Sequence, residues 1–399
     1  MRTGLTMITP CVRTLLTLHG WPGLIRRGTT PVPTIRKMTS QGQGVVSREE
    51  LHSYVVRCME AVGTKRGHAE ALADLLVSAD YRGHYSHGLN RLDMYVNEVK
   101  AGMTSSGQDN EPTVVKETVA SALVDGNNVL GPVVGKFCMD LALKKAKEAG
   151  IGWVSARGSN HFGIAGWYTI RAMEQGMLGM AFTNTSPLMV PTRAKEPTLG
   201  TNPISLAAPG NDGDGMVLDM ATTSVALGKI ELQERKGEPM PSGWAIDGTG
   251  KETHDPSQYA GLLPLGGTEQ SSGYKGYGLA MLVEVFCGIL SGAAFGPNVR
   301  SWKEFNRKAN LGQCFIAIDP QAFADGFPQR MSSLIDHCRG LDTAEGETEV
   351  LVPGDPERKH MQECDGLGGI PYHPNQIKFA NELADRLGVK AFEVKHNGQ

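Results

Sequence analysis

Three side chains in the stretch SHGLNRLDMY are spaced to do chemistry together. His87, Arg91 and Tyr95 follow at intervals of four, so on a helix of 3.6 residues per turn they line one face. They supply an acid/base group, a fixed cation and a phenol. Ser86 reads as the cap of that helix, and Leu89, Leu92, Val96 and Val99 fall at the spacing of a core-facing stripe. A second histidine, His161 in ARGSNHFGIAGWY, follows the strand-like IGWVSA on a Gly-rich turn, where a side chain can reach a cleft. An imidazole titrating near pH 6.5 can give or take a proton at working pH. The plainer reading of His161 is a ring that satisfies loop backbone groups.

Small hydroxyl and amide residues recur at strand edges in TNTSP (183–187), GTNPIS (200–205) and LDMATTS (218–224), where backbone N–H groups and hydroxyls can hold phosphate or ribose oxygens. Lys275 sits between glycines at the start of a helix in SSGYKGYGLAML, where an ammonium and a helix N-terminus together can make an anion site; the plainer reading is a flexible loop lysine. Neither GxGxxG nor GxxxxGK[ST] occurs, which removes the ordinary Rossmann and P-loop architectures. His84 and His87 are three apart with no third ligand nearby, and HEXXH and GxSxG are absent, so neither a zinc site nor a serine hydrolase is indicated.

The elements that must position these groups divide the chain into four parts. Residues 1–44 form a basic leader: positions 1–48 hold no Asp or Glu but carry Arg2, Arg13, Arg26, Arg27, Arg36, Lys37 and Arg48. That is the composition of a mitochondrial transit peptide; the alternatives are a disordered basic tail, or a cytoplasmic protein if translation starts at Met38. Residues 45–112 read as helical, opened by the Ser47/Glu50 capping box. Residues 113–265 carry a hairpin, a long helix from Gly131 and the strands IGWVSA, MLGMAFTN, PISLAAPG and MVLDMA. Residues 266–395 are again mainly helical. They include the apolar GYGLAMLVEVFCGILSGAAFG, expected to pack in the interior, and an amphipathic helix over 374–387. HMQECDGLGGIPYHPNQ reads as a local insertion.

With 399 residues and a net charge of −3, the chain can bury a sizeable core and does not fit a protein that lives by phosphate contacts with nucleic acid. Glu284 and five glycines in the longest apolar run argue against a membrane span. Seven cysteines without a CxxC suggest reduced thiols.

Taken in order, SHGLNRLDMYVNEVKAG, SNHFGIAGWY, TNTSP, GTNPIS, LDMATTSVALGKIE and GYKGYGLAMLVEV resemble the type-2 malate/L-lactate dehydrogenase family over roughly Ser47 to Val389. The resemblance implies an α+β fold. It has a non-Rossmann NAD(P)-binding domain on a mixed, largely antiparallel sheet, and a helical domain built from both chain ends. It also implies a homodimer that moves a hydride between a nicotinamide (NAD favoured over NADP) and C2 of a 2-hydroxy/2-oxo acid, malate- or lactate-like. Cyclic imino acid reduction and ureidoglycolate-type oxidation are the alternatives on the same scaffold, and a non-catalytic cofactor-binding protein is a third. By the same resemblance His161, His87 and Ser86 are catalytic, with His161 as the proton-transferring group. Arg91 and Tyr95 bind substrate, and Ser186, Thr201, Asn202, Asp219, Met220, Ala221, Lys275 and Gly276 surround the cofactor. No metal is implied.

Overall fold

Short-range signals fix most elements of the computed structural model, which describes residues 44–302, 304 and 306–396. The expected transit segment lies outside the described residues. Strand β1 (Gly44–Val46) leads into α1 (Arg48–Glu60), where Ser47 accepts the Glu50 N–H at 3.2 Å as the capping-box spacing requires. Helices α2 (Arg66–Tyr81) and α3 (Leu92–Lys100) follow, the second entered through a 3₁₀ turn over Leu89–Arg91. The hairpin β2 (Thr113–Glu117) and β3 (Ser121–Asp125) precedes α4 (Gly131–Ala149), β4 (Ile151–Ser159), α5 (Gly166–Met173), β5 (Leu178–Thr183), β6 (Ile204–Pro209) and β7 (Gly215–Met220). Helix α6 (Leu227–Lys236) and the short strands β8 (Ala245–Ile246), β9 (Glu252–Thr253) and β10 (Gly261–Leu262) lead to α7 (Gly273–Glu284). The chain closes with β11 (Leu311–Ile318), α8 (Phe327–Arg339), α9 (Asp355–Leu367), β12 (Ile370–Tyr372), α10 (Pro374–Leu387) and β13 (Lys395–His396).

The main sheet has seven strands in the order β2-β3-β4-β11-β5-β6-β7. Only β3 and β4 run parallel; the other five pairings are antiparallel. This is the mixed, largely antiparallel sheet expected, and it differs from a doubly wound sheet, whose strands are parallel. Helices α4 and α5 lie on one face, where Val134, Cys138, Ala142, Tyr168 and Ala172 pack with Val154, Ala181 and Phe315.

A separate core joins the two chain ends. Leu51, Tyr54 and Val55 of α1 and Leu72, Leu75 and Leu76 of α2 share it with Ile370, Tyr372, Leu383 and Phe392. Strand β1 is the middle of a small sheet between β12 and β13. The segment read as a local insertion supplies the second half of α9, all of β12 and the start of α10, and β12 pairs with β1.

The apolar run after Lys275 also departs from expectation. Helix α7 continues through a π-turn over Val285–Ile289, and only one side faces inward, with Ala280, Val283, Glu284, Cys287 and Gly288 buried. Met281, Leu282, Val285, Ile289 and Leu290 are exposed on the other side.

Candidate functional site

His87 does not sit on α3. It lies in a turn, and the helix begins at Leu92. The expected stripe nevertheless assembles, because the turn folds back on itself. The His87 N–H donates to His84 O at 2.8 Å, the Arg91 N–H to Gly88 O at 2.9 Å, and Arg91 Nε to Ser86 O at 2.7 Å. Ser86 Oγ is hydrogen-bonded to His87 Nδ1 at 2.9 Å, so Ser86 orients the ring instead of capping a helix. The apolar stripe holds as read: Leu89, Leu92, Val96 and Val99 are all buried.

His161 comes from the loop between β4 and α5. Its ring stacks on that of His87, with centroids 6.0 Å apart and planes 19° from parallel. The buried Tyr95 hydroxyl lies 2.6 Å from His161 Nδ1, and the Gly163 N–H also donates to Nδ1 at 3.3 Å. A backbone N–H can only donate, so Nδ1 is an acceptor and the neutral ring carries its proton on Nε2. Burial, reinforced by the other ring and Arg91, pushes His161 down to about 3. Burial, then Arg91 and His84, push His87 down to about 4. His87 and His161 both keep partial solvent exposure and are not sealed in the core.

Arg91 completes this group. With Nε held by Ser86 O and the guanidinium carbon 5.4 Å above the Trp302 ring, its two terminal nitrogens make no hydrogen bond or ion pair among the described residues. A planar, pre-oriented and unpaired edge beside two neutral imidazoles suits a carboxylate.

A second group gathers the strand-edge residues. Thr201 N–H donates to Thr185 Oγ1 at 2.9 Å, Thr222 N–H to Thr201 O at 2.9 Å and Leu265 N–H to Thr222 O at 2.8 Å. The loops 183–187, 199–203, 220–224 and 265–268 thus form one cradle against the start of α7. Ser186, Thr201, Met220 and Ala221 are half-buried along it, and Lys275 is exposed in the first turn of α7 with no ion pair among the described residues.

Three residues expected around the cofactor have other work. Asn202 is wholly buried, its amide donating to Glu284 Oε1 at 3.1 Å and to Ala280 O at 3.2 Å, so its side chain holds the loop onto α7. Asp219 accepts the Gly166 N–H at 2.7 Å and fixes the start of α5 behind His161; burial pushes its carboxyl up to about 6. Gly276 is buried where a Cβ would run into the backbone of Leu265, so its role is close packing.

Residues 299–302 join the two groups. Arg300 forms a buried ion pair with Glu98, one turn beyond Tyr95 on α3, and its carbonyl accepts the Ser186 hydroxyl at 2.8 Å. No sequence motif signals Arg300 or Trp302, because their partners are about 200 residues away in the chain. Glu284 carried a signal, a lone acid within an apolar run. It accepts Asn184 Nδ2 and Asn202 Nδ2, each at 3.1 Å. Glu284→Ala is expected to lower stability by roughly 1–3 kcal/mol in all, since each amide loses one of its two acceptors and keeps only Ala294 O or Ala280 O, read as a lower urea midpoint.

The rings of His87 and His161 and the unpaired edge of Arg91 thus lie together, and residues 299–302 connect them to the loop cradle beside α7. The family model for malate/L-lactate dehydrogenase matches residues 46–379, and the chain belongs to that family. It is 40% identical over 357 residues to a malate dehydrogenase of Pyrococcus abyssi, covering 88% of this chain and 96% of the relative. It is 39% identical over 350 residues to an L-sulfolactate dehydrogenase of Methanocaldococcus jannaschii, covering 86% and 98%. The solved malate dehydrogenase of Pyrococcus horikoshii superposes with a TM-score of 0.80 at 37% identity, over 88% of this chain and 98% of that one. The protein is a nicotinamide-dependent hydroxyacid dehydrogenase.

Proposed function

We propose that the chain interconverts malate and oxaloacetate with NAD(H). The observation that carries this reading is the unpaired terminal edge of Arg91, held beside the stacked rings of His87 and His161. The C1 carboxylate docks on that edge, which presents C2 and its oxygen to the rings. Ser186, Thr201 and Ala221 line the cofactor cradle, and Lys275 with the start of α7 receives the pyrophosphate, where donors and dipole favour an anion. The residues present fit such a group: hydroxyls of Ser186 and Thr201 and the Lys275 ammonium, which engages no carboxylate among the described residues. The nicotinamide, when bound, supplies or accepts the hydride at C2.

In reduction the protonated ring of His161 delivers its Nε2 proton to the C2 oxygen and is left neutral with its remaining proton on Nδ1, where the Tyr95 oxygen accepts it; in oxidation that tautomer takes the proton back at Nε2. His87, oriented by Ser86, covers the opposite side and hydrogen-bonds the oxygen. The experiment is a panel of initial rates for NADH and NADPH with oxaloacetate, pyruvate, phenylpyruvate and a cyclic imino acid. Preference for oxaloacetate and NADH supports the reading. Preference for the imino acid replaces it with imine reduction on the same residues, and preference for NADPH overturns the cofactor choice.

The exposed face of α7 supports a homodimer. Val285, Ile289 and Leu290 are each about half exposed (47%, 52% and 56%) and contiguous on one side of the helix. A contiguous apolar patch of this kind marks an interaction site, and a second copy is the occupant that the family resemblance names. Leu290→Asp is expected to convert the dimer to a monomer in light scattering; an unchanged mass would remove this face from the interface. The acid-free leader supports import into mitochondria. Residues 1–44 fused to a fluorescent reporter test this, and a cytosolic signal would reject it.

A further inference from the structure

The hydrogen bonds within residues 84–91 fix His87 relative to Arg91, but none of them fixes this turn relative to His161, which belongs to another segment. The tie to the body of the protein is a carboxylate. Asp80, near the end of α2, is fully buried; its Oδ2 accepts the Leu89 N–H at 2.8 Å and the Tyr372 hydroxyl at 2.6 Å. Its Oδ1 has no hydrogen-bond partner and faces Gly88, where a Cβ would run into the carboxylate. Gly88 is therefore required by close approach.

Stability alone does not account for Asp80. The neighbouring inward positions of α2 are Leu72, Leu75, Leu76 and Ala79, all buried, and an apolar residue at 80 would continue that face. Burying a carboxylate with one oxygen unpaired is costly. Exceptions of this kind concentrate at functional positions. Burial pushes the Asp80 carboxyl up to about 7, opposed by the two donors on Oδ2.

We propose that Asp80 is a positioning residue for the dehydrogenase reaction: it holds residues 86–91, and with them His87 and Arg91, in register with His161, and Tyr372 in turn holds Asp80. The inference rests on the reading in which Arg91 binds the acid. Through Tyr372 it extends to the chain's far end, since β12 is anchored by its pairing with β1. The cofactor cradle makes no contact with this carboxylate, so the proposal separates substrate placement from cofactor binding.

The test uses the full chain with Asp80→Asn, which keeps shape and an acceptor oxygen, and Tyr372→Phe, which removes one donor. For Asp80→Asn, a KM for the 2-oxo acid raised about tenfold and a kcat lowered about tenfold to a hundredfold are expected, the scale of a misplaced catalytic group. Tyr372→Phe should give smaller changes of the same sign, and NADH affinity by fluorescence should stay within about twofold in both. A readout independent of turnover is the titration of the His87 ring by NMR. It is expected to rise from its depressed value toward the ordinary 6.5 or so in Asp80→Asn, as the loosened turn admits water. Unchanged kinetics and an unchanged His87 titration in both variants would overturn the proposal. So would a parallel loss of NADH affinity, turnover and urea midpoint, which marks a general folding defect. If the wild-type enzyme reduces none of the acids, the functional reading fails, while the ring titration still decides whether Asp80 positions the turn.

Discussion

His161→Asn is expected to lower kcat by about 10²–10⁴, the range for removing a positioned acid/base group, while NADH affinity measured by fluorescence stays near the wild-type value. Geometry singles out this ring before electrostatics does. Tyr95 and Gly163 both donate to Nδ1, which leaves Nε2 as the nitrogen without a partner among the described residues. Asn can reproduce a hydrogen bond to the C2 oxygen but cannot take up a proton. A kcat unchanged in His161→Asn would transfer the proton-carrying role to His87, whose Nε2 is likewise without a partner.

The pH dependence follows from the same two rings. With His161 held down to about 3 and His87 to about 4, the free protein carries both neutral at working pH. Oxidation of the hydroxy acid needs a neutral ring, so its kcat/KM should stay level from about pH 8 down to about pH 5 with no break at 6.5. Reduction needs a ring that has gained a proton, so its kcat/KM should fall about tenfold per pH unit over the same range. Binding the anionic acid beside the rings raises their affinity for that proton, and net proton uptake on binding should be measurable in buffers of different ionisation enthalpy. The stability sign runs the other way. Below about pH 6.5 the unfolded chain binds protons that the folded rings refuse, so acidification toward their folded values favours unfolding. A break near pH 6.5 in the oxidation profile would mean that the rings titrate as exposed histidines.

What the sequence disclosed and what it concealed divide along chain distance. The Ser47 cap, the Leu89–Val99 stripe and the start of α10 at Pro374 are local signals, and each forms where the spacing puts it. The gathering of His87, Arg91, Tyr95 and His161 was legible through motifs, but its mechanism was not. The i,i+4 rule places His87 on a helix, whereas Gly88 pressed against Asp80 forces a turn and delays α3 to Leu92. Asp80 itself left a trace, an acid four residues after Leu76 on an otherwise apolar face. Tyr372, Arg300 and Trp302 left none, since their meaning lies in contacts across hundreds of residues. The apolar α7 misled because composition cannot tell a helix buried all round from one with an apolar face exposed.

Arg91→Lys should raise the KM for the 2-oxo acid by about ten- to a hundredfold, corresponding to the loss of one hydrogen bond to a charged group, ~1.5–3 kcal/mol. The substitution keeps the charge, so it asks whether geometry matters. In the native arrangement Nε is fixed by Ser86 O at 2.7 Å and the guanidinium carbon lies 5.4 Å over the Trp302 ring, which leaves the two terminal nitrogens as a fork without a partner among the described residues. An ammonium has no fork, cannot bond Ser86 O and a carboxylate with the same planarity, and stacks less well on the indole. Because the lost contact is made to substrate and transition state alike, kcat should change less than KM. Arg91→Ala removes the charge as well and should raise KM further, partly restored by guanidinium added to the buffer. If Arg91→Lys leaves KM within about twofold of wild type, the carboxylate is bound elsewhere, and Lys275 or Arg82 becomes the cation to test.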